Sequence, residues 1–457
     1  MPSNTFAYRA TIGLIWALAL WHSWICRGLF VDGFGFLIQI VTFEWFFDFY
    51  PPRLYAMIAA QIPVMIGVIM GATDLHLLAR LLSLGFFGLP TILYSLALYR
   101  ARNDSVVLAS VIAAIALVFL PVSFFIVGEY NTLYALAILV SVTLATSERL
   151  RVSEGLALSG LALFSLRVYE AMVYIGPFLV VMMLWRIWRA WRREPSGGRL
   201  VATLSHLLAA LLFAWATWIA RDSIVHPFSD LLAMHLDDTL QQARNFWQNM
   251  QFDFVFAAAL VIIGWALVRP ADLVTPRPYF WATILLAILA LTPLLAFTHT
   301  LVRPLAKSQY VSRVMGGMVT CAIVSFIWFY RSDLHSRLKA PIVLRQEQAA
   351  RRLLRLACLM SLAVLPSDIF LSLTWVDFIE ATRADVVGRS GIIPFEDSKL
   401  SRYPEILLVE NWVLSTQSLA VRANDHSGII VPPKGFDEWV PFLLQEPPNL
   451  GRFYWRD

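Results

Sequence analysis

The feature that most constrains this chain is a series of apolar runs, each close to the length that crosses a membrane. A helix needs about 20 mostly apolar residues to span the hydrocarbon of a bilayer. Runs of this kind cover residues 9–29, 77–99, 105–127, 131–146, 169–185, 200–220, 254–267, 280–298, 311–330 and 353–373. A shorter run, 155–166, crosses only as a broken or tilted helix. Hydrophobic residues make up 59% of the chain and charged residues 15%, against about 45–50% and about 25% in a soluble domain. A water-soluble fold cannot hide this much apolar surface, because even a large domain leaves about a quarter of its unfolded-chain surface exposed. The expected fold class is therefore an all-α polytopic membrane protein with about eleven transmembrane helices.

Charge orients these runs. Of 36 basic residues only Lys307, Lys339, Lys399 and Lys434 are lysine. The arginines gather between apolar runs, most densely at Arg186, Arg189, Arg192, Arg193 and Arg199, and again at Arg331, Arg337, Arg345, Arg351 and Arg352. The positive-inside rule makes both groups cytoplasmic. Counting crossings outward places the N-terminus in the cytoplasm and the C-terminus outside it. No basic stripe interleaved with aromatics is present, so nucleic acid is excluded as a partner. Cys26, Cys321 and Cys358 lie in or beside apolar runs, as packed thiols do, which speaks against a disulfide framework or a zinc site.

Two further stretches, 34–47 and 54–71, must together contribute an even number of crossings. They form a hairpin or lie along the outer surface. The first is rich in aromatics and carries Glu44 and Asp48, which favours interfacial helices. Pro51 and Pro52 break the chain between them. The chain thus divides into a transmembrane domain, 1–373, with a first outer loop at 30–76, and an extracytoplasmic C-terminal segment, 374–457. That segment is polar and proline-rich, expected to be α/β or irregular and to pack on the outer mouth of the membrane domain.

On this topology a small set of charged residues collects at the outer ends of the spans. Asp32 sits in the turn Val31-Asp32-Gly33-Phe34-Gly35, where glycines let backbone approach a ligand closely. Asp48 follows in the same loop, Glu129 opens the second outer loop, and Glu170 lies three residues beyond Arg167, within pairing distance on one helical face. Each also reads as a solvated helix end. Arg53, Arg80, Arg167 and Arg221 are outer cations. The loop from His299 through Arg303 and Lys307 to Arg313 combines three cations with several donors, suited to phosphate or to lipid headgroups. No P-loop, dinucleotide glycine pattern, HExxH or GxSxG signature occurs.

A long first outer loop opening with an acid, then Ala79-Arg80-Leu81-Leu82-Ser83-Leu84 leading to Leu98-Tyr99-Arg100-Ala101-Arg102, then a span ending at an acidic second loop, resembles the GT-C superfamily of polytopic glycosyltransferases over residues 9–190. The resemblance implies transfer of a sugar from a polyprenyl-phosphate-linked donor to an envelope glycan or lipid acceptor at the outer face of a bacterial inner (plasma) membrane. It implies Asp32 as catalytic base and Glu129 as its acidic partner, which in the superfamily helps bind a divalent metal or the acceptor. Asp48, Arg80, Arg167, Glu170, His299, Arg303, Lys307 and Arg313 become candidate substrate contacts, and no metal ligand set is assigned. The alternatives are a transporter or flippase of lipid-linked sugars, and a non-catalytic scaffold of an envelope polysaccharide complex. Spans nearly free of charge at their middles favour chemistry at the outer face over passage.

Overall fold

The computed structural model describes residues 3–48, 50–120, 128–193, 199–226, 250–295, 308–332, 339–403, 413–424, 426–431 and 450–456. The described residues of the chain are predominantly helical. Its helices are α1 (Asn4–Trp24), α2 (Asp32–Phe43), α3 (Leu54–Ile69), α4 (Leu75–Ala101), α5 (Ser105–Ala114), α6 (Glu129–Thr146), α7 (Val152–Ser165), α8 (Met172–Arg193), α9 (Arg199–Val225), α10 (Met250–Val268), α11 (Arg277–Leu295), α12 (Ser308–Arg331), α13 (Lys339–Leu344), α14 (Glu347–Gly388) and α15 (Leu414–Ala420). A π-helical turn, Ile115–Phe119, prolongs α5.

Local chemistry sets several of these boundaries. Ser3, Asp74 and Asp104 cap α1, α4 and α5 by accepting from backbone N–H groups of the first turn, which satisfies donors that have no partner within the helix. Pro51 and Pro52 open a 3-10 turn, Pro51–Arg53, that leads into α3, where a missing N–H costs nothing. Glu129 opens α6, its negative charge at the positive end of the helix dipole.

The helix α6 lies at the centre, buried from Glu129 through Leu144 and packed on α4, α8 and α12. Around it α1 and α3 flank α4, α7 and α8 pack on α9, and α14 packs on α5 and α11. Large side chains face outward instead: Ile62 and Ile66 of α3, Leu211 and Trp215 of α9, Leu260 of α10, and Leu362 and Phe370 of α14 are all exposed. An apolar exterior this extensive has no stable home in water. By length and composition, Pro51–Ile69, Leu75–Ala101, Met172–Arg192, Leu200–Val225 and Glu347–Gly388 are long and apolar enough to cross a membrane. The protein is a helical, membrane-embedded one.

The two stretches of the first outer loop prove unlike each other. At 12 residues, α2 is about 18 Å long, well short of a bilayer core. It packs on α4 and α15. The helix α3 instead runs back along α4 across a short turn, and the two approach so closely that a Cβ at Gly85 would lie 1.7 Å from the Ala60 carbonyl oxygen. Small residues permit such contact between helices in lipid. The boundary expected at 373 falls inside α14, whose 42 residues reach about 63 Å, roughly twice the hydrocarbon thickness. Its apolar first half belongs to the helical body and its second half carries the C-terminal segment.

That segment is a small mixed structure. Strands β1 (Ile392–Pro394) and β2 (Ile429–Val431) pair in parallel with Ile393 opposite Ile430. Gln417 donates to the Thr382 hydroxyl at 2.8 Å, and the Asp385 carboxylate accepts from the Lys399 N–H. The last residues clamp the α3–α4 turn: Leu75 N donates to the Tyr454 carbonyl at 2.9 Å, Tyr454 N to that of Thr73 at 3.2 Å, and the Trp455 ring stacks on His76. Arg452 meets Glu44 at 3.2 Å. The segment therefore closes over the end of the body that bears α2.

The opposite end is held by other pairs. Arg331 reaches Asp104 at 2.6 Å, Ser105 donates to Asn4 at 2.9 Å, and Ser147 donates to Glu154 at 2.5 Å beside His206. Arg100, Arg102, Arg149, Arg189, Arg192 and Arg351 lie along helices or turns at this end.

Candidate functional site

Asp32 owes its position to a strained turn. After α1 the chain passes through Cys26 at φ 56° and a 3-10 turn, Arg27–Leu29, then Val31 at φ 56° and ψ −107°, and Asp32 begins α2. A β-branched residue rarely adopts a positive φ, and such strain persists only where the surroundings enforce it. Here they do. Gly28 donates to the Ser83 hydroxyl at 2.9 Å, and a Cβ on Gly28 would lie 2.5 Å from the Ser83 Cα. A Cβ on Gly33 would lie 1.8 Å from the Gly28 carbonyl oxygen, whereas Gly35 faces open space. The first glycine after Asp32 thus lets the chain approach itself, contrary to the expectation that both glycines admit a ligand. Asp32 is half-buried.

Glu129 and Glu170 converge on Arg53. The Arg53 Nε donates to Glu170, 3.1 Å from both carboxylate oxygens, and Nη1 lies 3.7 Å from Glu129 Oε2. The guanidinium is flanked by the rings of Tyr50 and Tyr169, each 4.7 Å from its centre. Glu129 is 6% exposed and Arg53 19%. Burial first, then the Glu170 carboxylate, push the Tyr50 phenol above its ordinary value. Pairing of Arg167 with Glu170 is not what holds this corner: Arg167 is exposed, and its backbone carbonyl accepts from Tyr55 N at 2.9 Å.

A second polar group lies deeper, between α1 and α14. His22 Nε2 stands 3.3 Å from Asp368 Oδ2, both side chains nearly inaccessible. Arg27 is fully buried, its guanidinium carbon 5.7 Å from the Trp375 ring and 5.8 Å from that of Phe30. Trp375 Nε1 donates to the Ile25 carbonyl at 2.9 Å. Arg27 interacts electrostatically with Asp368 and with Tyr130. Tyr130 in turn packs edge-on to Tyr169 at 5.7 Å, so the two groups meet through one aromatic pair. Tyrosine rings suit this place because their bodies are apolar and their hydroxyls polar.

The remaining candidates divide. Arg80 turns back on its own neighbourhood: it donates to the Trp24 carbonyl at 3.1 Å and covers the Trp24 ring at 3.8 Å. Asp48 is exposed, in a loop gripped by Gln61, which accepts from Phe47 N at 2.8 Å and donates to the Phe47 carbonyl at 2.9 Å. His299, Arg303 and Lys307 lie outside the described residues, and Arg313 falls in the first turns of α12, where only the backbone is described.

Among the described residues no group of three His, Cys, Asp or Glu side chains converges on one point. Glu129 and Glu170 already share a guanidinium, whose charge would repel a divalent ion, so this pair does not fit a metal site. Sequence reasoning placed Arg53 among several outer cations and passed over His22, Arg27 and Asp368. The signal for Asp368 was legible: one carboxylate within an apolar run is a site hypothesis by default.

Fold and exterior define the class, a helical membrane-embedded protein with a buried polar and aromatic site at one end. No protein-family model, curated protein or solved structure matches the chain.

Proposed function

We propose that the protein is a membrane glycosyltransferase that moves a sugar from a polyprenyl-phosphate-linked donor to a lipid or glycan acceptor, at the end of the body bearing α2. The observation that carries this reading is the strained Val31 that leads α2 with Asp32, at the same end as the Arg53 cluster. In this reaction the acceptor oxygen forms a bond to the anomeric carbon, and the bond from that carbon to the phosphate oxygen breaks. The acceptor proton passes to Asp32, and the electron pair leaves with the polyprenyl phosphate. Asp32 stands at the N-terminus of α2, where the helix dipole favours negative charge. Glu129 acts through Arg53, holding the Tyr50 and Tyr169 walls of the site. Arg303, Lys307 and Arg313 remain the proposed grip on the departing phosphate.

The same reading takes the chain to cross a bacterial inner membrane about eleven times, with α2 at the interface, the N-terminus cytoplasmic and the C-terminus outside. The group of Arg100, Arg102, Arg149, Arg189, Arg192 and Arg351 at the end opposite Asp32 supports that orientation. Should both α2 and α3 remain uncrossed or both cross, the parity holds; α2 is too short to span alone. Movement of a lipid-linked sugar is a second reading, favoured by the buried His22–Asp368 pair, since ionisable groups within membrane helices often mark transport paths.

The deciding experiment measures sugar transfer from polyprenyl-phosphate donors by the protein in lipid nanodiscs. Asp32→Asn is expected to lower the rate by about a hundredfold or more. A folded Asp32→Asn protein with full transfer activity would remove the basis of the reading.

A further inference from the structure

The joint between α7 and α9, at the end of the body opposite Asp32, buries an acid against a histidine. Glu154 is 6% exposed and His206 0%, and His206 Nε2 lies 3.7 Å from Glu154 Oε1. The two helices approach closely there. A Cβ on Gly155 would lie 2.0 Å from Ser205 Oγ, and Ser159 donates to the Ser205 carbonyl at 3.1 Å. Among the described residues, His206 is the one basic side chain that pairs with Glu154.

The hydrogens available do not satisfy this arrangement. The Ala202 carbonyl, 2.8 Å from His206 Nδ1, can only accept. The proton of a neutral imidazole therefore sits on Nδ1, and Nε2 turns a lone pair toward Glu154. The Ser147 hydroxyl carries one proton and has two acceptors in reach, the Thr143 carbonyl at 2.8 Å and Glu154 Oε2 at 2.5 Å. An ionised Glu154 and a neutral His206 thus bring two protons to four contacts. Glu154 Oε1 and His206 Nε2 are left as buried acceptors facing each other with no hydrogen bond, and the pair carries a net negative charge. Both are unfavourable away from water.

We propose that this pair is a proton-binding site, at which the folded protein holds one further proton on Glu154 or His206. On Oε2 the proton bonds to Ser147 Oγ and frees the hydroxyl for Thr143. On Nε2 it faces Oε1 and sets two opposite charges together. Either way the net charge of the pair becomes zero. The other ionisable groups around it are few. On α7 there is none besides Glu154, α3 packed on it has only Tyr55, and α6 has none from Ala135 to Thr146. On α9 the others are Arg199, Arg221 and Asp222, toward its two ends. Glu148, Arg149 and Arg151, in the turn before α7, are exposed. On α8, Arg186 and Arg189 lie near Ser147; their charge works against uptake, yet neither pairs with Glu154. The site does not depend on glycosyl transfer. The unfolded chain gives up this proton by about pH 6.5, as an ordinary histidine does. Above that pH the folded state binds one proton more than the unfolded chain, so stability falls as pH rises. Alkaline medium at this end loosens α7 from α9.

The test is reversible unfolding of the full-length protein in mixed micelles from pH 7 to 9. One proton released on unfolding weakens the folding equilibrium by about tenfold per pH unit. Glu154→Gln and His206→Gln each place an N–H that does not titrate in the gap. Each is expected to remove one proton from the slope, a difference from wild type of up to about a hundredfold across the range. Glu148→Gln, at an exposed acid in the preceding turn, keeps the wild-type slope. A difference below about threefold for whichever variant folds overturns the proposal, as does equal flattening by Glu148→Gln, which would show general surface charge. Wild-type stability that does not fall over this range overturns it whatever the variants do.

Discussion

Replacing Arg53 by glutamine removes the one cation that Glu129 and Glu170 are shown to share while keeping a side chain of similar reach. Three contributions disappear together. The Nε contact at 3.1 Å from both Glu170 oxygens is a charge-assisted hydrogen bond worth about 1.5–3 kcal/mol. The stacking on Tyr50 and Tyr169, at 4.7 Å each, is worth about 0.5–1 kcal/mol per ring. Glu129, 6% exposed, is left a buried carboxylate beside a neutral amide. Removing one partner of a buried pair costs about 3–5 kcal/mol, and the partial exposure of Arg53 places the expected loss at the lower half of that range. The assay is reversible unfolding in mixed micelles, with Glu129→Gln and the double variant completing a cycle. Because Glu129→Gln removes the buried charge that Arg53 neutralises, the double variant should lose less than the sum of the singles. A loss below about 1 kcal/mol for Arg53→Gln, or additivity within about 0.5 kcal/mol, would refute the reasoning and make the cluster a surface ornament.

Gly33→Ala pushes a Cβ to 1.8 Å from the Gly28 carbonyl oxygen and should destabilise the protein by about 2 kcal/mol or more in the same unfolding assay, while Gly35→Ala should stay within about 0.5 kcal/mol. Gln61→Ala deletes both hydrogen bonds to Phe47 at a fully buried position and should expose the segment around Asp48 to limited proteolysis at a rate at least several-fold higher, with a loss of about 1–3 kcal/mol in overall stability. The Tyr50 phenol is raised above its ordinary value of 10.0 by burial and by Glu170, so the folded protein keeps a proton that the unfolded chain releases. The stability tied to Tyr50 is therefore full below pH 10 and declines as pH rises beyond it toward the folded value. Unfolding midpoints measured from pH 9 upward should fall less steeply in Tyr50→Phe, which lacks the titrating hydroxyl and keeps the ring that lies against Arg53.

The helical nature of the chain was readable because lipid demands it. Every backbone polar group in a bilayer must find its partner within the same segment, so a run such as residues 200–220 has one viable conformation whatever its neighbours. Boundaries were readable where a cap or proline marks them, as at Asp74, Asp104 and Pro51. Position 373 falls inside α14 because composition changes there and helix propensity does not: Thr374 through Gly388 carries no proline to interrupt the helix. The length of α2 was equally hidden, since an apolar stretch reads alike whether it continues to Phe47 or stops at Phe43.

The candidate site was less legible. Asp32, Glu129 and Glu170 stood out as acids at apolar boundaries, yet nothing local says which cation each meets. Arg167, three residues from Glu170, was the obvious partner by spacing, and Arg53, 117 positions away, is the actual one. His22 and Asp368 are further apart still.

The amino-acid order alone therefore determined the solvent of this protein, its helices and the placing of its charges at the ends of apolar runs, because each follows from short-range composition and the polarity of lipid. Only the tertiary structure decided which charges share a site. One apolar helix face attracts another with little regard to identity, so the order in which helices pack rests on close contacts such as Ala60 against Gly85. That packing, and not the spacing of charges along the chain, brings Arg53 to Glu129 and Arg27 to Asp368.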